Sequence, residues 1–382
     1  YLADDPDDLA FNVYRATAGS APARLNRNPI TAFTWFLDEH PQLAQNSSYF
    51  VRPVRRGQEQ AASTAFNLKA GTKAQNYLSI PIQPPPGCTP NDGVVADLDG
   101  DGEYEIVLKS EMRPRDNGSR GTTGETRLQA YRLDGSLLWT INLGRNIREG
   151  AHYCQFMAYD LDGDGKAEVA CKTADGTVDG IGCVIGDANA DHRDPSGHIL
   201  KGPEYFTIFD GLSGAELVTT NYLPARFTGK LEPTPEELAG IWGDGNGNRS
   251  DRYLACVAYL DGQRPSVIMC RGYYTRSTLA AWDWRGGKLT LRWLFDSNDG
   301  SPTNRLYRGQ GNHNLSVADV YGDGREEIIY GACTIDDNGK SLYSTRLGHG
   351  DALHVSDLEP ERPGLEVCDS QERFDDAGEN FC

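Results

Sequence analysis

Two nine-residue stretches, DLDGDGEYE from Asp97 and DLDGDGKAE from Asp160, constrain this chain more than any other feature of it. Carboxylates recur at the first, third and fifth positions, the sixth is a glycine that permits a sharp turn, the seventh offers a backbone carbonyl, and a glutamate at the ninth closes the cage. An all-oxygen cage is calcium chemistry, because Ca2+ takes about six to eight hard oxygen ligands in flexible geometry. Carboxylates set so close would otherwise repel one another. The ligands read from the pattern are Asp97, Asp99, Asp101, Glu105 and the carbonyl of Glu103, then Asp160, Asp162, Asp164, Glu168 and the carbonyl of Lys166. The loop is shorter than an EF-hand and runs into a strand-like segment where an EF-hand has a helix, so an EF-hand is excluded. A third copy, DVYGDGREE from Asp319, has Tyr321 in place of the second aspartate. It keeps Asp319, Asp323, Glu327 and the carbonyl of Arg325, a weaker or water-completed site. A looser fourth copy starts at Asp357.

These loops alternate with a second unit, an aromatic strand, a tight turn and another strand: LQAYRLDGSLLWTINL at 128–143, YFTIFDGLSGAELVT at 205–219 and LAAWDWRGGKLTLRWLF at 279–295. Self-similarity at long period is the signature of an array or a propeller, and the two units together supply the antiparallel strands of one blade. With 43 glycines and 20 prolines set among short apolar runs, the expected class is all-β. A degenerate unit from Ala258 keeps the strand and loses the carboxylates. Long excursions at about 174–204 and 224–252 interrupt the period and are candidate cleft walls. Residues 1–83 lack any Asp-dense loop and read as a small β-sandwich module. The stiff stretch Ile80–Gly87 reads as a linker, and 84–382 as the repeat domain.

A net charge of −18 argues against nucleic acid, which calls for clustered Lys and Arg. The excess acid is gathered in a few loops, so bound cations would offset much of it. No apolar run approaches the roughly 20 residues of a membrane-spanning helix. Of nine cysteines, Cys171, Cys256, Cys270, Cys333 and Cys368 lie in apolar strand-like runs and are expected to be buried free thiols, while Cys88, Cys183 and Cys382 lie in loops where pairing stays open. His313 and His349 stand six and eight residues before the acidic loops at Asp319 and Asp357, both among glycines, and this parallel placement points to a shared functional surface. Lys109 and Lys172 end corresponding strands. Either would reach a substrate carboxylate, and the plainer expectation for each is a solvated charge.

The strings GAHYCQFMAYDLDGDGKAEVACKTADGTVDG, GPEYFTIFDGLSG, CRGYYTRSTLAAWDW, GQGNHNLSVADV and TIDDNGKSLYSTRLGHGDALHVSDLEPERPGLEV resemble the rhamnogalacturonan lyases of polysaccharide lyase family 11, and the resemblance runs along essentially the whole chain. It implies an eight-bladed β-propeller, incomplete here, with several structural Ca2+ ions and a cleft across its top, preceded by an N-terminally incomplete fibronectin-III-like β-sandwich module. The implied reaction is β-elimination at the rhamnose–galacturonic acid bond of pectin by a secreted or cell-surface/periplasmic enzyme, with a monomer expected. The implied sugar contacts are Asn91 and Glu111, the latter an aspartate more usually. His313 and His349 fall at the calcium-lined cleft with Asp351 and His354 beside them, and the residues acting on the C5 proton fall beyond Cys382. Two other classes compete. A non-catalytic calcium-dependent propeller would use the same loops, but has no need of KTADGTVDG, RGYYTR or TIDDNGK. A glycoside hydrolase needs a free acid pair, whereas the acids here are committed to metal.

Overall fold

Short β-branched and aromatic runs broken by glycine turns give strands, and the computed structural model, which describes residue 6 and residues 8–73 and 77–372, is almost wholly β. Its helical pieces among the described residues are Pro235–Trp242 and a 3-10 turn at Asn304–Tyr307. The first is fixed locally. Thr234 and Glu237 form a reciprocal capping box, Pro235 opens the helix, and Gly243 closes it in the left-handed region at φ 93°. No helix of the described residues is long and apolar enough to cross a membrane.

The chain forms two compact units, the first of Tyr1–Ile80 with Gly100–Glu103 and the second of Pro81–Asp99 with Tyr104–Cys382. In the first, Ala10–Thr17 and Ser47–Arg55 pair antiparallel and gather three short strands into one five-stranded sheet. The described residues of this unit supply one sheet. Instead of a second sheet, Phe33, Trp35 and Phe36 line an apolar hollow of about 330 Å³ with Phe11, Val13 and Val51 from the strands.

The second unit repeats one pattern. Sheet I holds Thr89–Ala96, Glu105–Glu111, Arg127–Tyr131 and Leu137–Asn142, extended at its outer edge by Thr177–Val178 and Val184–Ile185. Sheet II holds Phe156–Tyr159, Glu168–Thr173, Tyr205–Phe209 and Glu216–Asn221. Sheet III holds Tyr253–Ala258, Ser266–Arg271, Thr278–Arg285 and Lys288–Asp296, and sheet IV Gly311–Ala318, Glu327–Gly331, Cys333–Ile335 and Ser341–Ser344. Sheet V, among the described residues, is the pair Gly350–Ser356 and Glu366–Gln371. Each is an antiparallel meander, and every acidic loop, the degenerate one included, joins a first strand to a second.

Second strands are buried along their length in sheets II, III and IV, which is why EVACKT, SVIMCR and EIIYG read as nearly continuous apolar runs without alternation. The core lies between successive sheets. Val107, Leu128 and Ile141 meet Val169 and Phe209, Phe206 and Ile208 meet Val267 and Trp282, and Ile268 and Leu279 meet Ile328 and Ile335. First strands touch first strands in order, from Thr89–Ala96 through Phe156–Tyr159, Tyr253–Ala258 and Gly311–Ala318 to Gly350–Ser356. Cys154, Cys171, Cys256, Cys270 and Cys333 are buried free thiols; Cys368 is half-buried, and Cys382 lies outside the described residues.

Two tryptophans pin neighbouring sheets at their outer strands. Trp139 Nε1 donates to the Gly211 carbonyl at 2.6 Å, and Trp293 Nε1 to the Asp337 carbonyl at 2.8 Å. Each indole lies against a glycine of the facing turn. A Cβ on Gly214 would sit 2.9 Å from the Trp139 ring, and one on Gly339 2.5 Å from the Trp293 ring. Trp139→Phe keeps the aromatic bulk but strips the Gly211 carbonyl of its donor. It is expected to lower the unfolding free energy by about 1–3 kcal/mol, measured by urea denaturation of the metal-loaded protein.

Candidate functional site

At two loops the side chains gather as the spacing requires. Carboxylate oxygens of Asp97, Asp99 and Glu105 lie within 4.8 Å of one another, as do those of Asp160, Asp162 and Glu168. The closing glutamate is held by its own loop: Glu105 Oε2 accepts the Leu98 N–H and Glu168 Oε2 the Leu161 N–H, each at 2.9 Å. Leu98 and Leu161 are buried directly beneath, so the turn is anchored from below. The sixth-position glycines take φ 89° at Gly102 and 87° at Gly165, a conformation that L side chains rarely adopt.

The donor sets fit a hard cation on two observations. Asp99 Oδ1 is buried with no hydrogen-bond partner. Burial, with Asp162 and Asp160 nearby, pushes Glu168 up to about 7, as befits carboxylates crowded without a counter-ion. Asp101 and Asp164 are not in these clusters. Each caps its own turn, Asp101 Oδ1 accepting the Glu103 N–H and Asp164 Oδ1 the Lys166 N–H, both at 2.8 Å.

The third loop keeps the fold of the turn without gathering its carboxylates. Asp319 accepts the N–H groups of Gly322, Asp323 and Gly324, and Glu327 that of Val320. Asp323 caps the Arg325 N–H at 3.0 Å, and the Arg325 side chain pairs with Asp337 at 2.8 Å. Tyr321, standing where the second aspartate would be, is exposed. Among the described residues Asp319, Asp323 and Glu327 form no three-carboxylate cluster, and neither does the loop at Asp357. The missing third-position carboxylate is the physical reason in the first case.

His313 and His349 do meet. Their rings lie 4.8 Å apart, and potential ligand atoms of His313, His349, Asp351 and Glu372 fall within 4.8 Å of one another. Tyr273 stacks on His349 at 5.4 Å and donates or accepts at His313 Nδ1 across 3.0 Å, while the Tyr274 hydroxyl lies 3.1 Å from His313 Nε2. The Gly311 carbonyl engages His349 Nδ1, which leaves Nε2 as the lone-pair nitrogen. That Nε2 is buried with no hydrogen-bond partner, 3.7 Å from Glu372. Burial holds His349 down to about 4, so its imidazole is neutral and able to ligate near pH 7. His354 is exposed and outside the group, a correction to its expected place beside His313. Glu372, Tyr273 and Tyr274 carried no ligand spacing in the sequence. The tyrosines lie in RGYYTR, a string that builds no acidic loop.

Before the first loop, exposed Asn91 donates to Glu111 Oε2 at 2.7 Å, and the Gly150 N–H donates to Glu111 Oε1 at 3.0 Å. Lys109 is fully buried beneath them, 2.5 Å from Asp92 and 3.6 Å from Glu111. Burial alone would lower its pKa, but the two carboxylates hold it above the usual lysine value. Lys172 is buried as well, 3.4 Å from Glu204 and with its ammonium 5.0 Å from the centre of the Tyr253 ring. Neither lysine is the solvated strand-end charge that its position in the sequence predicts, because each second strand is covered on both faces.

In metal-stripped protein, a Glu168 carboxyl raised to about 7 contributes stability that is full below the ordinary glutamate range near 4.5 and is lost as pH rises through 7. The gap in melting temperature between calcium-loaded and chelated protein is therefore expected to widen from pH 5 to pH 8 in differential scanning calorimetry. Glu168→Gln should flatten that widening.

The model of the "Rhamnogalacturonan lyase family 11, C-terminal domain" matches residues 77–381, and that of the "Rhamnogalacturonan I lyases beta-sheet domain" matches residues 1–68. The chain is 53% identical to the rhamnogalacturonan exolyase YesX of Bacillus subtilis (strain 168) over 378 residues, covering 96% of this chain and 58% of that protein. It is 51% identical to the rhamnogalacturonan endolyase YesW of the same organism, covering 96% and 57%. The crystal structure of exotype rhamnogalacturonan lyase YesX superposes with TM-score 0.84 at 50% identity over 97% of this chain and 60% of that one. The Bacillus licheniformis rhamnogalacturonan lyase superposes with TM-score 0.84 at 52% identity over 98% and 62%. The chain thus spans a little under three fifths of the length of the curated relatives it matches.

Proposed function

The chain belongs to rhamnogalacturonan lyase family 11, and from that premise we propose that it acts as a secreted or cell-surface/periplasmic lyase that cleaves the rhamnose–galacturonic acid backbone of pectin by calcium-assisted β-elimination. The observation that carries this reading is the match to that family across 77–381, together with about half identity to an exolyase and an endolyase. The rival reading, a propeller that only binds, leaves unexplained the histidine–tyrosine–carboxylate group built by strings outside the acidic loops. A polymer of this size is met outside the cell, which favours export.

The architecture proposed is a β-propeller. First strands touching in sequence order and tryptophans pinning outer strands support successive blades around an axis. Calcium is the proposed ion for the clusters at Asp97 and Asp160, whose donors are oxygen alone. The group at His313 and His349 mixes imidazole with carboxylate and suits a softer divalent ion as well.

In the elimination, a base takes the C5 proton of galacturonate, its electron pair forms the C4–C5 double bond, the C4–O bond breaks, and the departing rhamnose oxygen takes up a proton. A cation at the cleft supplies neutralisation of the uronate carboxylate, which acidifies C5–H. Asn91, exposed and bonded to Glu111, is placed to touch a sugar hydroxyl, with Lys109 beneath holding Glu111 in register.

The test incubates the full-length protein with rhamnogalacturonan and follows the ultraviolet absorbance of the unsaturated uronate. A rise abolished by chelator and restored by Ca2+ is expected, and no rise with calcium present would sink the lyase reading. Asn91→Ala is expected to lower kcat/KM by about 5- to 100-fold without changing the melting temperature, on the scale of one lost hydrogen bond to substrate.

A further inference from the structure

A cavity of about 10 Å³, the space of roughly one water molecule, is lined by Arg148, Lys172, Arg226, Asp251, Tyr153 and Ile199 among others. We propose that it is a binding site for a single monatomic anion of the chloride class. The charge count is the first reason. Lys172, Arg226 and Arg271 are buried against Glu204 and Asp251, three cations to two carboxylates. Arg148, 2% exposed, adds a fourth cation and bonds only neutral groups: the Tyr153 hydroxyl and the carbonyls of Ser119 and Gly121.

Unused donors are the second reason. The Nε–H groups of Arg148 and Arg226 are both buried with no hydrogen-bond acceptor, and the nearest carboxylate oxygen to Arg226 Nε, on Asp251, lies 3.6 Å away. Two orphan donors on cations that line one small cavity call for an acceptor between them. A water molecule would accept their bonds but leave the charge excess in place. A monatomic anion does both, while phosphate, sulfate and carboxylates exceed the space. Burial, with the neighbouring guanidiniums of Arg226 and Arg271, pushes Lys172 down, and an anion in the cavity opposes that shift.

The site has a structural consequence. Ile199 comes from the first long excursion, Arg226 and Asp251 from the second, and Lys172 from the second strand of sheet II. The ion therefore fastens both excursions to the strands, and anion binding tightens the segments that wall the proposed cleft.

The test uses calcium-loaded full-length protein in sodium gluconate at constant ionic strength, with chloride or bromide exchanged in. A saturable rise in melting temperature with either halide is expected, together with an anomalous-scattering peak between Arg148 and Arg226 in bromide-soaked crystals. Lys172→Met is expected to weaken the apparent halide affinity at least tenfold. Should that variant fail to fold, the bromide peak in the unaltered protein decides. Absence of the peak overturns the proposal whatever the melting shows, leaving a bound water in the cavity.

Discussion

Mutual repulsion among carboxylates is the constraint on which the second unit depends. Each intact loop brings three of them within 4.8 Å at the point where a first strand turns into a second, and the closing glutamate is itself the first residue of that second strand. One of its carboxylate oxygens accepts the loop amide. Loop conformation and strand register are therefore one variable: whatever neutralises the cluster also sets where the second strand starts. A protein with formal charge −18 concentrates its excess where that dependence is strongest.

The loops also join sheet to sheet. The Ala167 N–H of the second loop donates to the Asp97 carbonyl of the first at 2.8 Å. In the corresponding place Glu326 of the sheet IV loop both donates to the Tyr259 carbonyl and accepts the Tyr259 N–H at 2.6 Å. Close approach is required there, since a Cβ on Gly262 would meet the Gly324 carbonyl at 2.5 Å. With the Trp139 and Trp293 contacts further out, each of these junctions is fastened at two depths, and the apolar core fills the space between.

Much of this was legible because it repeats. The loop at Asp97 and its copies at Asp160 and Asp319 place the first-to-second strand connections of sheets I, II and IV, and the turn-linked runs at 128–143, 205–219 and 279–295 mark third and fourth strands. What was not legible depends on side-chain direction and on distant partners. Asp101 and Asp164 fit the ligand spacing yet cap their own turns. Lys109 and Lys172 look solvated until the covering sheet and the 174–204 excursion, which supplies Glu204, are in place. Glu372 joins His313 and His349 from a different strand end, a proximity that spacing cannot encode. In the N-terminal unit, alternating short runs mark strands but fit a single sheet as well as a sandwich.

Sheet III carries a loop that has lost its metal carboxylates and in exchange receives a glutamate from the next loop at Tyr259. Its junction with sheet IV is thus held by covalently supplied groups, while that between sheets I and II runs through two loops of crowded acid. With calcium proposed at the clusters of Asp97 and Asp160, the second unit would be polarised in its dependence on ions. As free cation falls, amide protons near Leu98 and Leu161 lose their protection against solvent exchange before those near Tyr259 and Glu326 do, so loosening starts at one end of the array and spreads along it.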